Sequence, residues 1–212
     1  MPVSMDQCAA FLAAAVLITL SPGPDNLMVI SLSMSRGRAQ GTAFGLGCAL
    51  GCLSHTLLAA LGISALIAAF PAAFGALKLC GGGYLVWLGI QALRHRGSVG
   101  AAQTQSLSGA ADSVARFFAK GALVNAINPK VVIFFLSFLP QFVDAGRGQV
   151  AAQTAVLGGL FTAQACVIFG LLGYFSGAFG QWLGRHARAG VWLHRVSGVI
   201  FLGLGARLLL LP

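Results

Sequence analysis

The sequence predicts an all-α integral membrane protein, with six transmembrane helices forming two inverted three-helix repeats and the first helix of each repeat broken by proline. Three observations carry this expectation. The chain is 58% hydrophobic and 8% charged, with a mean hydropathy of +0.88, whereas soluble domains average about 25% charged residues. So few charges cannot cover a water-facing surface. Six apolar stretches, at 7–35, 41–70, 74–93, 117–141, 150–179 and 191–211, are each long enough to cross a bilayer, which takes about 20 residues as helix. None alternates as a spanning strand would. Finally, two of the stretches contain proline beside a charge, and they open corresponding halves of the chain.

The first stretch carries "TLSPGPDNLMVI" at 19–30. Proline removes a backbone donor and clashes with the carbonyl four residues back, so Pro22 and Pro24 around Gly23 break the helix. Irregular backbone at membrane depth survives only inside protein or beside a water-filled cavity. Asp25 points the same way, because an intramembrane charge is costly and usually functional. The N–H groups of the new half-helix, from Asn26 onward, favour an anionic group such as a carboxylate. The second stretch has glycines four residues apart, Gly41 with Gly45 and Gly47 with Gly51, which let helix backbones approach. Its His55 is a candidate proton relay or a histidine bonded to a neighbouring helix. The third contains Gly81, Gly82 and Gly83, a source of local flexibility.

The fourth stretch contains "NAINPKVVIFFLSFLPQF". Pro129 interrupts it between Asn128 and Lys130, and Asn125 lies one turn earlier, able to satisfy backbone that the proline frees. Lys130 is ten residues beyond Lys120, about 15 Å along a helix and near mid-membrane. Each half therefore has a charge directly after a proline, and the charges are opposite: Asp25 after Pro24, Lys130 after Pro129. Paired interruptions in corresponding positions point to a binding site between repeats. The plain structural alternative is two kinks joined by an ion pair. The fifth stretch holds Gln164, which either touches a zwitterionic solute or bridges helices. The polar segment 94–115 reads as a flexible linker between repeat one (1–93) and repeat two (116–212) of a single domain.

Composition excludes several functions. Thirteen Lys+Arg face four Asp and no Glu, a net charge of +9, yet the basic residues punctuate apolar runs rather than forming the footprint of a nucleic-acid binder. Cys8, Cys48, Cys52, Cys80 and Cys166 show no C-x-x-C and no zinc spacing and read as packing residues. No metal, cofactor or ATP-binding motif is present. A membrane redox carrier is the alternative class. It would need cysteine at the broken helices, where Ser21 to Asn26 and Asn125 to Lys130 stand instead. An enzyme is disfavoured because Asp25 alone among the four acids is clearly intramembrane.

"SPGPDNLMVI" with "RGRAQGTAFGLGCALG", "NPKVVIFFLSFLPQFV", "GGYLVWLGIQALR" and "RVSGVIFLGLGARLLL" together resemble the LysE/RhtB family of amino-acid exporters over nearly the whole chain. The resemblance implies a six-helix permease of the bacterial inner membrane. It would export amino acids or related small metabolites, with protons as the exchanged ion. It carries over Ser21, Pro22, Gly23, Pro24, Asp25 and Asn26, then Asn128, Pro129 and Lys130, as site residues. A homo-oligomer is compatible with the sequence, which does not set the oligomeric state.

Basic residues concentrate in alternate loops: Arg36 and Arg38, then Arg94, Arg96 and Arg116, then Arg185, Arg188 and Arg195. Such loops stay cytoplasmic, so six crossings put both termini outside. In intact cells, a cysteine introduced at 94–115 should therefore resist an impermeant thiol reagent, and its labelling would refute this topology.

Overall fold

The computed structural model describes residues 2–21, 23–69, 71–94, 113–185 and 187–210. Pro22, most of the linker, His95, Arg96 and His186 lie outside these. The elements are α1 (Met5–Leu20), α2 (Pro24–Arg36), α3 (Arg38–Ala69), α4 (Pro71–Arg94), α5 (Val114–Ala126), α6 (Pro129–Ile133), α7 (Val150–Arg185) and α8 (Ala187–Leu210). The described residues contain no strand. Helices α3, α4, α7 and α8 each hold a stretch long and apolar enough to cross a membrane. Two bent pairs supply the rest: α1 and α2 meet at 55°, α5 and Pro129–Phe142 at 52°, so the spans number six when each pair is one crossing.

Local chemistry sets the helix ends. Ser4 and Gln7 form a reciprocal cap on α1, and Ser113 caps α5. Pro24 and Pro129 each begin a helix, the position where a missing N–H and fixed φ are harmless. The backbone after Pro129 departs from the simple helix expected. It turns α-helical to Ile133, π-helical over Phe134–Phe138 and 3₁₀ over Leu139–Phe142. Pro140, which offers no donor to the preceding turn, lies in that last piece.

Helix α3 packs along α5 and α7, α4 along α8, and α2 against α3 and α7. Glycine permits the closest approaches. A Cβ on Gly47 would overlap the Phe118 carbonyl, and one on Gly121 the Phe44 carbonyl, so α3 and α5 touch backbone to backbone. In the same way, a Cβ on Gly89 would lie 2.8 Å from the Gly198 oxygen, and one on Gly205 2.9 Å from that of Gly82. Gly81 and Gly82, read from the sequence as flexible, instead abut Ser137 and Leu209. Large apolar side chains such as Leu58, Leu61, Trp87, Trp192 and Val199 face outward, whereas Asp25, Asn26, His55, Asn125 and Asn128 are buried. This is the distribution a bilayer imposes.

Gly121→Leu should destabilise the detergent-solubilised protein by about 1–3 kcal/mol through overpacking at the α3–α5 contact. Gly159→Leu, where a Cβ meets nothing within 4 Å, is the control and should stay within about 0.5 kcal/mol of the parent in thermal unfolding.

Candidate functional site at the two helix breaks

Breaking a helix strands the carbonyls of its last turn and the N–H groups of the next. At the end of α1, Ser21 N–H donates to the Leu17 oxygen at 3.1 Å. Asn26 Nδ2 donates to the Thr19 oxygen at 3.0 Å and to the Ser21 oxygen at 3.4 Å. Lys130, from the other half of the chain, sends Nζ to the Ile18 oxygen at 3.0 Å and to the Ser21 oxygen at 3.3 Å. A cation therefore sits at the negative end of the α1 dipole. Gly23 is needed for this approach rather than for its backbone angles. Its φ of −157° is ordinary extended geometry, and an added Cβ would stand 3.1 Å from Lys130 Nζ.

The second break is satisfied partly from its own turn and partly from the first half. Pro129 cannot donate to the Asn125 carbonyl, which instead accepts from Asn128 N–H at 2.9 Å and meets His55 Nε2 at 3.2 Å. His55 is thus bonded to a neighbouring helix, one of the two roles its sequence position allowed. Asn128 caps α6, its Oδ1 accepting from Lys130 N–H at 3.0 Å, while its Nδ2 donates to Asp25 Oδ2 at 2.7 Å. Asn125 Nδ2 makes a longer contact of 3.5 Å to the same oxygen, and Cys52 Sγ lies 3.4 Å from Asn125 Oδ1. Asn125 therefore does not satisfy the freed backbone with its side chain, as the sequence suggested. The freed carbonyl is its own.

Asp25 occupies the first turn of α2, where the helix dipole favours a negative charge. It is buried at 5% exposure. Asp25 and Lys130 line one cavity with Thr19, Asn26 and Asn125, but among the described residues no ion pair joins these two. The plain structural alternative, two kinks joined by an Asp–Lys ion pair, is not what the fold contains. The cavity measures about 20 Å³, room for about one water molecule and far too small for an amino acid. Phe134 and Phe161 are part of its wall, and tilted ring contacts continue from Phe134 through Phe138 to Phe142.

Of the residues singled out in the sequence, Ser21, Gly23, Pro24, Asp25 and Asn26 meet Asn125, Asn128, Pro129 and Lys130 at this junction. Pro22 lies outside the described residues. Gln164 also reaches it, its Nε2 donating to Thr19 Oγ1 at 2.9 Å. Sequence reasoning passed over Thr19, Cys52 and the aromatic wall. Thr19 had a usable signal, since it belongs to the same broken segment. Cys52 and the phenylalanines look like ordinary apolar packing until the helices are assembled. Gln153, fully buried, binds the backbone of Asp144 and Gly148 and orders the turn before α7, away from the breaks.

A helical membrane protein whose two proline-broken spans meet around a small cavity that holds Asp25 and Lys130 is the class that fold and site define. The chain belongs to the LysE type translocator family, whose model matches residues 16–211. It is 35% identical to an uncharacterised membrane protein of Vibrio cholerae, over 92% of this chain and 93% of that one. It is 31% identical to the homoserine/homoserine lactone efflux protein of Salmonella typhi, over 70% of each chain. It is 28% identical to the leucine efflux protein of Enterobacter sp. (strain 638), over 93% of this chain and 92% of the relative. No solved structure matches the chain.

Proposed function

We propose that the protein exports amino acids or closely related small metabolites across the bacterial inner membrane, in exchange for protons. The observation that carries this reading is the convergence of both helix breaks, with Asp25 and Lys130, on one buried cavity. Membership of the translocator family supports it, as do relatives named for efflux of leucine and of homoserine.

The whole chain acts as one transport domain built from two inverted repeats, 1–93 and 116–212, with both termini outside. Some of the packing supports this reading: α1–α2 lies on α7 as α5–α6 lies on α3, while α3 pairs with α7 and α4 with α8. Such repeats rock against each other around a central site. Motion of this kind is required here, because the cavity does not admit an amino acid as it stands.

Asp25 is the proton carrier. Ionised, it accepts a charge-assisted hydrogen bond from Asn128 of the other repeat, a bond roughly twice as strong as its neutral counterpart. Protonation weakens that link and loosens the junction between the repeats. Lys130 takes the substrate carboxylate or balances the ionised aspartate, and leaves the α1 carbonyls as the site opens. The α6 N–H groups are a poor carboxylate site, since Asn128 already caps Lys130 N–H.

In proteoliposomes, the wild type should release amino acids when a pH gradient is imposed, and Asp25→Asn should abolish the gradient-driven component while inserting normally. Full gradient-driven efflux by Asp25→Asn would remove the coupling role.

A further inference from the structure

Buried polar groups in folded proteins almost always find a partner, and each exception calls for a reason. Among the described residues four buried side-chain atoms lack one: Ser21 Oγ, Asp25 Oδ1, Ser33 Oγ and Gln164 Oε1. Ser33 stands apart, packed against Gly41 on the α2–α3 contact. The other three belong to the helix break. Ser21 is in it, Asp25 follows it, and Gln164 is tied to it through Thr19. Thr19 and Asp25 both line the cavity.

Two of the three atoms, the carboxylate and amide oxygens, are acceptors alone, and the third, a hydroxyl oxygen, accepts as well as donates. What completes them is a compact group with several N–H donors and a positive charge. Lys130 does not serve, because its ammonium is engaged with the Ile18 and Ser21 carbonyls. A carboxylate ligand is unsuitable, since it would set acceptors against acceptors.

Resting on the export reading above, we infer that Ser21 Oγ, Asp25 Oδ1 and Gln164 Oε1 receive the α-ammonium group of the transported amino acid. The three donors of that ammonium match the three open acceptors. Ser21 and Gln164 are each one hydrogen bond from a residue that lines the cavity, and beside Thr19, Asn26, Asn125 and Lys130 that cavity presents the apolar side chains of Ile18, Val131, Phe134, Phe161 and Phe169. It suits a solute with an aliphatic side chain, and the cation already present at Lys130 disfavours a basic one. Gln164 is thereby a specificity-determining residue: it reads the amine rather than merely bridging α7 to α1.

The test uses purified full-length protein in proteoliposomes, with L-leucine and its α-hydroxy analogue, which replaces the ammonium by a hydroxyl. Gln164→Leu and Ser21→Ala should each raise KM for L-leucine by about tenfold or more, the effect of losing a hydrogen bond to a charged group. The apparent affinity for the hydroxy acid, read by competition, should change by less than about threefold, within the range of a neutral contact. Gln164→Glu, which keeps an acceptor in place, should retain leucine affinity. Equal losses for both solutes in Gln164→Leu would mean that Gln164 only supports the fold, and the inference would fall. Unchanged leucine affinity in Gln164→Leu would overturn it as well. If the wild type moves another amino acid but not leucine, the same pair is made from that amino acid. A wild type that moves no amino acid at all overturns the export reading itself.

Discussion

The structure turns on a crossed exchange of hydrogen bonds between two broken helices. Each break draws some of its partners from the other half. The last carbonyls of α1 take Lys130 from the second half and Asn26 from their own. The carbonyl that Pro129 strands takes His55 from the first half, and Asn128 reaches back to Asp25. In hydrocarbon an unsatisfied backbone group costs several kcal/mol, so the two halves must dock in one register for either to be stable. The polar residues that make the junction are the same ones that make the cavity chemically useful. At the proposed transport site, binding and folding would therefore rest on the same contacts.

Close packing makes that exchange possible. Asn125 and Asn128 reach Asp25 because α5 lies directly on α3, and it does so because Gly47, Gly51 and Gly121 carry no side chain at the crossing. Among apolar tails there is little hydrophobic drive between helices, so backbone approach and interhelical hydrogen bonds supply the association. The same principle applies at Gly82, Gly89, Gly198 and Gly205 between α4 and α8, which flank the core bundle. The aromatic column of Phe134, Phe138 and Phe142 then fills the space beyond the cavity along a segment that leaves α-helical geometry. Local π-helical turns are frequent at functional sites.

Much of this was legible in the sequence, for physical reasons. Proline and charge in an apolar stretch are so unfavourable that "SPGPDN" and "NPK" had to mark broken helices, and both do. The all-helical class followed from hydropathy, and the expected six spans are reached when each bent pair is one crossing. Individual partners were not legible. A charge pattern shows that Asp25 and Lys130 occur at equivalent points, but not that Lys130 prefers backbone carbonyls while amides hold Asp25. The role of His55 depends on which carbonyl the opposite break exposes, and that is a matter of docking rather than of spacing. Cys52 and Phe161 carry no sequence signal that separates a cavity wall from ordinary packing. The π-helical turn after Ile133 was equally hidden, since its residues are strongly apolar and helix-compatible.

The account stands or falls on whether the two halves are coupled through the buried contact between Asp25 and Asn128. A double-mutant cycle on unfolding of the detergent-solubilised protein measures this directly, using Asp25→Ala, Asn128→Ala and the pair. A charge-assisted hydrogen bond across the junction predicts a coupling of about 1.5–3 kcal/mol, with the double variant less destabilised than the sum of the singles. Additive single effects, to within about 0.3–0.5 kcal/mol, would mean that the breaks do not support one another.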